Sequence, residues 1–326
     1  MTQMISAMRS IVVGVSNMDE ALQLFETTMG LQRESDEDLS SALAQFWGIY
    51  GDGTRQTRRV ELSCQGYPIG RLELLELTPA ATEVVRLDTQ LGGPDSPLDI
   101  GPKAIDFYVR SPARIAWDQM VEAGCIARSP PVRHIIGDVE SEEAVLFGPD
   151  GVPLLIMVGH RHPPSQMRPG APHGPYSEVP TVSVVAGDIG ATRAFYADTL
   201  GLEASTDAET PPEFRDAVNA LVGIPVGSPV HFLLYQDPKE PSGKILLVHF
   251  ASPQPARRLT DRMHPRRLGV ALYRHAARDL DSLCEQIAAH TARSGATLVQ
   301  APTQVGATRR MWVRGPNEEL FEFFEE

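Results

Sequence analysis

A glutamate sits among aromatic residues near the end of the chain, in Leu320-Phe-Glu-Phe-Phe324. If Glu322 faces a cavity, its carboxyl is harder to ionise than one in water and can exchange a proton near neutral pH. If it alternates outward along an amphipathic strand, it is a solvated charge and nothing more. Glu73, in Arg71-Leu-Glu-Leu-Leu-Glu-Leu77, poses the same choice. His231 and His249 fall on what read as neighbouring strands. With Glu322 they would supply an acid–base set or a non-standard metal site; otherwise one is packed and one exposed. Arg310, Trp312 and Arg314 alternate along one strand and share a face. That arrangement suits a carboxylate held beside a stacked ring, or else a solvated edge. Phe46, Trp47 and Tyr50 end a helical stretch and either roof a cavity or belong to the core. His160, His162 and His173 flank a proline-rich stretch that reads as linker before it reads as a metal tract. The chain has no glycine-rich phosphate loop, Cys-x-x-Cys, His-Glu-x-x-His or Gly-x-Ser-x-Gly, so nucleotide-dependent transfer and serine hydrolysis have no support.

These residues are carried by a chain that repeats itself. Phe25-Glu-Thr-Thr-Met-Gly-Leu31 returns as Tyr196-Ala-Asp-Thr-Leu-Gly-Leu202, and Phe147-Gly-Pro-Asp-Gly151 returns as Arg314-Gly-Pro-Asn-Glu318. Ala42-Leu-Ala-Gln-Phe-Trp-Gly-Ile49 likewise matches Ala217-Val-Asn-Ala-Leu-Val-Gly-Ile224. Four units follow, each reading strand, helix, then two or three strands. The first helix runs from Asp19 to Met29, capped by Asn17 or Asp19 and stopped by Gly30. Its counterparts span 112–123, 190–200 and 279–293. A unit of this size buries little core alone and must lay its sheet against a partner. Residues 161–179, rich in proline and glycine, read as a linker between an N-terminal half, 1–160, and a C-terminal half, 180–326.

Composition sets the class. The 326 residues carry a formal charge of −13 with 42% hydrophobic and 22% charged residues. That excludes a nucleic-acid backbone or an anionic membrane as partner. Three distant cysteines, Cys64, Cys125 and Cys284, fit a reducing compartment without disulfides. No secretory leader or spanning run is visible, so a soluble, cytoplasmic protein, monomer or homodimer, is expected.

The order of motifs resembles the vicinal oxygen chelate superfamily, which includes glyoxalase I, bleomycin resistance proteins and extradiol dioxygenases. The resemblance rests on Val15 to Phe25 with Met29-Gly-Leu31, on Ala194 to Leu202, and on the two Gly-Pro-Asp/Asn turns with their closing strands. It implies an α+β fold of four βαβββ modules, at about 8–78, 102–160, 180–252 and 266–326. These would pair within each half into two bidomains whose curved sheets each enclose a cavity. It also implies a divalent metal (iron, manganese, nickel or zinc) held by His or Gln on first strands and Glu on last strands. Here the first-strand positions carry Ser10, Ala104, Thr181 and Leu272; the last-strand positions carry Glu73, Leu155, Leu247 and Glu322. With no first-strand histidine, no cofactor is expected; a metal site, if present, would use His231, His249 and Glu322.

The leading expectation is an enzyme acting on a small, largely apolar, oxygenated and perhaps aromatic molecule by proton abstraction, isomerisation or lyase chemistry. Glu322 or Glu73 would be the base with His249 beside it, and Thr181, Ser183, His231, Arg310 and Trp312 would bind the substrate. One alternative is a metal-free, resistance-type protein that sequesters a ligand. Another is a metal-dependent dioxygenase or glyoxalase-like enzyme with non-standard ligands.

Overall fold

The computed structural model describes residues 3–49, 56–110, 112–162, 175–251 and 256–326. Tyr50, His173 and most of the expected linker lie outside them. The first module comprises β1 (Ile5–Val15), α1 (Met18–Leu22), β2 (Gln32–Asp38), α2 (Ser41–Phe46), β3 (Gln56–Ser63) and β4 (Arg71–Thr78). The second comprises β5 (Gly101–Tyr108), α3 (Ala113–Glu122), β6 (Ile126–Ala127), β7 (Val132–Ile136), β8 (Val139–Phe147) and β9 (Pro153–Arg161). The third comprises β10 (Thr181–Val185), α4 (Ile189–Arg193), β11 (Glu203–Glu209), α5 (Arg215–Val222), β12 (Val230–Gln236) and β13 (Lys244–Phe250). The fourth comprises β14 (Gly269–Ala277), α6 (Leu280–Ser294), β15 (Thr297–Val305), β16 (Thr308–Arg314) and β17 (Leu320–Glu325).

Local chemistry explains the helix ends. Asn17 caps α1 by accepting from the amides of Asp19 and Glu20, and Asp188 and Asp279 do the same work on α4 and α6. Past α1 and α4 the coil widens: the amide of Met29 reaches Leu24 O at 2.9 Å and that of Leu200 reaches Phe195 O at 3.0 Å, so both copies keep the same five-residue step. Among the strands that the sequence pattern passes over, β2, β11 and β15 lie at sheet edges, and β2 and β11 are strongly charged. Charge along an edge blocks pairing with another chain. On β2, Asp36 is bracketed by Arg33 and Arg58.

Two large curved sheets result, with orders β15-β16-β17-β14-β1-β4-β3-β2 and β11-β12-β13-β10-β5-β9-β8-β6, and β7 on β8. The expected pairing within each half is not what the strands adopt. The first module joins the fourth through antiparallel β1 and β14, and the second joins the third through antiparallel β5 and β10. Neighbours in sequence are the usual choice, but a seam strand read alone does not name its partner. Here the connectors decide. Segment 79–100 runs beside segment 256–268, bridged at Val84–Leu268 and Ile100–Arg258. Arg86 fixes the first connector by donating to the carbonyls of Ser96, Asp99 and Pro102.

The two sheets are stapled at equivalent points. The amide of Met8 donates to Gly243 O at 3.0 Å, and the amide of Val179 donates to Gly70 O at 2.9 Å. Both glycines have positive φ, +73° and +65°, and at either one a Cβ would run into the backbone opposite. Among the described residues no helix is long and apolar enough to cross a membrane.

Candidate functional site

Strand register makes the two cups comparable position by position. At the seams Ser10 faces Arg274, and Thr181 faces Asp106. Arg274 pairs with Glu322 as Asp106 pairs with Leu155; Val12 lies beside Glu73 as Ser183 lies beside Leu246. The centre of the first cup is therefore Ser10, Glu73, Arg274 and Glu322, and that of the second is Thr181, Leu246, Asp106 and Leu155. The sequence reading had placed Leu272, Ala104 and Leu247 where the register puts Arg274, Asp106 and Leu246.

The first cup is filled. Arg274 lies between the two glutamates, with Nε 3.0 Å from Glu322 Oε1 and Nη1 on Glu73. Arg59 Nε adds a bond to Glu73 at 2.8 Å and Ser10 Oγ donates to the same carboxylate. Arg310 and the indole N–H of Trp47 complete Glu322. Phe46 meets Trp312 edge-on at 5.5 Å, so α2 does roof this cup, and it seals it. Glu73 is 1% exposed and Glu322 0%. Burial pushes the Glu73 carboxyl up, but Arg274 and Arg59 outweigh it and hold it at about 2. The free, proton-exchanging glutamate expected from the sequence is thus not what Glu73 presents, and the Glu322 carboxylate is spent on two arginines and an indole.

A metal does not fit these residues. The guanidinium of Arg274 sits where both carboxylates converge and neutralises them itself, and no first-strand imidazole is there to join them. The set His231, His249 and Glu322 is not assembled either, because both histidines belong to the other sheet. His231 bonds Asp207 at 2.6 Å, and His249 Nδ1 lies 3.1 Å from Ala186 O. Among the described residues no three His, Cys, Asp or Glu side chains come together as a metal site.

The second cup is open. It holds about 1120 Å³ of empty space counted out through its mouth. The positions that fill the first cup carry smaller residues here. Val222 stands for Trp47 and Leu221 for Phe46 on the roofing helix α5; Val145 stands for Trp312, and Leu155 and Leu246 stand for the two glutamates. Aliphatic walls surround a polar floor at the seam. Asp106 is 2% exposed, and Ser183 Oγ donates to it at 3.1 Å. Burial, helped by Glu143, pushes the Asp106 carboxyl well above the usual carboxylate range. Across Thr181 from Asp106, on the next strand, lies Lys244. Burial pulls its ammonium down to about 7, with Asp106 and Glu178 opposing. This floor therefore pairs a carboxyl that burial pushes well up with an amine that burial pulls down to about 7.

Histidines complete the wall. His162 accepts or donates at Tyr108 Oη (3.2 Å) and Ser141 Oγ (3.0 Å), and burial pulls its pKa down to about 4. His134 Nε2 lies 3.2 Å from Glu143 Oε2, yet neither ring nitrogen makes an aligned hydrogen bond within the described residues. Of the site residues expected from sequence, Thr181 and Ser183 line this cavity, Glu73, Glu322, Arg310 and Trp312 occupy the sealed cup, and His231 and His249 lie outside both centres. Asp106, Lys244, Tyr108 and His134 were missed. The signal was there in Ile105-Asp-Phe-Tyr108, an acid inside an otherwise apolar strand.

Comparisons with known proteins agree with this architecture. Residues 178–323 match the family model described as Glyoxalase/Bleomycin resistance protein/Dioxygenase superfamily. No curated protein matches the sequence. Among solved structures, glyoxalase I from Zea mays is 12% identical with a TM-score of 0.62, covering 98% of this chain and 92% of that one. A putative dioxygenase from Bacillus subtilis is 12% identical with a TM-score of 0.59, covering 99% and 86%. At such identity the likeness is one of fold.

Proposed function

From the membership of residues 178–323 in the Glyoxalase/Bleomycin resistance protein/Dioxygenase superfamily, whose fold extends over the whole chain, we propose that this protein is an enzyme that takes a small, largely apolar, oxygen-bearing molecule into its second cup and moves a proton on it. The single observation carrying this reading is the floor of the cavity, where Asp106 and Lys244 flank Thr181 on adjacent strands beneath aliphatic walls. Their backbones stand roughly 10 Å apart, two strand spacings, so both side chains can address one small group between them. Asp106, protonated, donates to a carbonyl or hydroxyl oxygen. Lys244, in its neutral form, takes the proton from the adjacent carbon. Ser183 and Thr181 orient the oxygen. Return of the proton to a different carbon completes an isomerisation, and expulsion of a neighbouring group completes a lyase step.

The pH dependence follows from these groups. Activity rises as Lys244 loses its proton near pH 7, and is lost as Asp106 ionises, a step that burial moves well above the usual carboxylate range. Asp106→Asn and Lys244→Met are expected to keep ligand binding within about tenfold and to lower turnover by about 10² or more, as removal of a general acid or base does. Calorimetry for binding and a product assay for turnover check this. Loss of neither in both variants would place the chemistry elsewhere.

A second reading, sequestration without turnover, draws on Leu155 and Leu246, which put hydrocarbon where the other cup has carboxylates. Binding with no product from any bound ligand, and no change in Lys244→Met, is the result that favours it.

A further inference from the structure

Each seam has a break in antiparallel register at a place that has its equivalent in the other. In the second cup Ser183 pairs with Ala104 and Val184 with Pro102, leaving Lys103 as the extra residue of a β-bulge. In the first cup Val12 pairs with Leu272 and Val13 with Val270, leaving Ala271 as the extra residue. A bulge re-aims the side chain it carries. Strict alternation would turn Lys103 away from the face that holds Ala104 and Asp106; with the bulge, all three line the cavity.

We propose that Lys103 anchors a carboxylate, so that the molecule taken by the second cup is an apolar carboxylic acid; this rests on the cavity reading given above and names its substrate class. The ammonium of Lys103 has three N–H groups. Among the described residues it donates to one acceptor, Pro97 O at 2.9 Å, and otherwise stands 5.2 Å over the Phe250 ring. Two guanidiniums that also line the cavity stand with it, Arg86 and Arg128. Arg86 is spent on backbone carbonyls, and Arg128 pairs with Asp88 and lies 5.0 Å from Phe147. Lys103, Arg86 and Arg128 thus gather three basic side chains at this end of the wall, where Asp88 is the acid that also lines it. Burial, with Arg86 and Arg128 beside it, pushes Lys103 well below the usual lysine range; Asp88 opposes them without offsetting them, and among the described residues the amine has no anion bonded to it. An incoming carboxylate supplies that anion. Lys103 and Asp106 are three residues apart on β5, about 10 Å along the strand. A molecule anchored at one end therefore presents its carbonyl or hydroxyl to the other.

Matched acid and amide pairs test the proposal: phenylacetate against phenylacetamide and octanoate against octanamide, titrated calorimetrically into the full chain. The acids are expected to bind about tenfold or more tightly than the amides, the usual gain of a charge-assisted bond. In Lys103→Met that preference is expected to collapse while amide affinity stays. Amides binding the wild-type protein as tightly as the acids would overturn the anchor and leave the cavity reading standing. A preference that survives in Lys103→Met would overturn the assignment to Lys103. Failure of every probe to bind at millimolar concentration would overturn the cavity reading and this one together. The wild-type comparison decides even if the variant does not fold.

Discussion

At the residue scale the first cup turns on Arg274. A buried charge is tolerable when paired and bonded, and removing one partner leaves the others uncompensated at a cost of about 3–5 kcal/mol. Arg274→Gln should therefore destabilise the protein by about that amount at pH 7. The pH dependence carries the diagnosis. Glu73 has its folded pKa held at about 2, below its unfolded value of 4.5, so it contributes stability above pH 4.5 that is lost as pH falls toward 2. Without Arg274 the buried carboxyl ionises less readily and gains from acid instead. The deficit of the variant is expected to be largest near neutrality and to shrink below about pH 4.5, as urea unfolding followed across pH will show. A deficit independent of pH would mean that Arg274 matters by packing alone. Sequence reading found both glutamates that Arg274 joins, because each lies in a strand of clear apolar pattern. It missed Arg274 itself, since the position opposite Ser10 lies two residues along from Leu272 and is set by pairing with a distant strand.

At the element scale the modules were legible and their pairing was not. Asn17, Asp279, Gly30 and Gly295 mark helix ends by chemistry that is local in the chain. The choice of partner across β1–β14 and β5–β10 depends on connectors that meet from distant parts of the sequence, and Arg86 reads as an ordinary surface arginine until its three carbonyl acceptors are seen. The edge strands β2 and β11 were passed over because their charged sequences lack strand propensity; tertiary pairing overrides it. The glycine staples are a sharper test of the arrangement. At Gly243 a Cβ would lie 2.8 Å from both N and O of Met8, with φ at +73°. Gly243→Ala is expected to cost about 2 kcal/mol or more, from strained backbone and displaced contact together. Gly306, also at positive φ but with open space around it, should lose about 1 kcal/mol on the same substitution. Equal losses at the two sites would show that the close approach of the sheets contributes nothing.

At the scale of the whole molecule, one cup design is used twice with opposite outcomes. Modules one and four bring arginines, glutamates and two tryptophans to their shared centre and close it as a cross-link. Modules two and three bring valines, leucines, two acids and two lysines to equivalent positions and leave a cavity. Neither outcome can be read from any single module, because each centre sums side chains from four strands and a helix drawn from both halves of the chain. The repeat announced two comparable centres, and the volume left between them depended on the pairing. The most direct test is a crystal structure of the protein soaked with phenylacetamide. Density for the ligand in the second cup, with its amide oxygen toward Asp106 and its ring among Leu155, Leu246 and Val222, is the predicted result. Density between Glu73 and Glu322, with Arg274 displaced, would contradict the account.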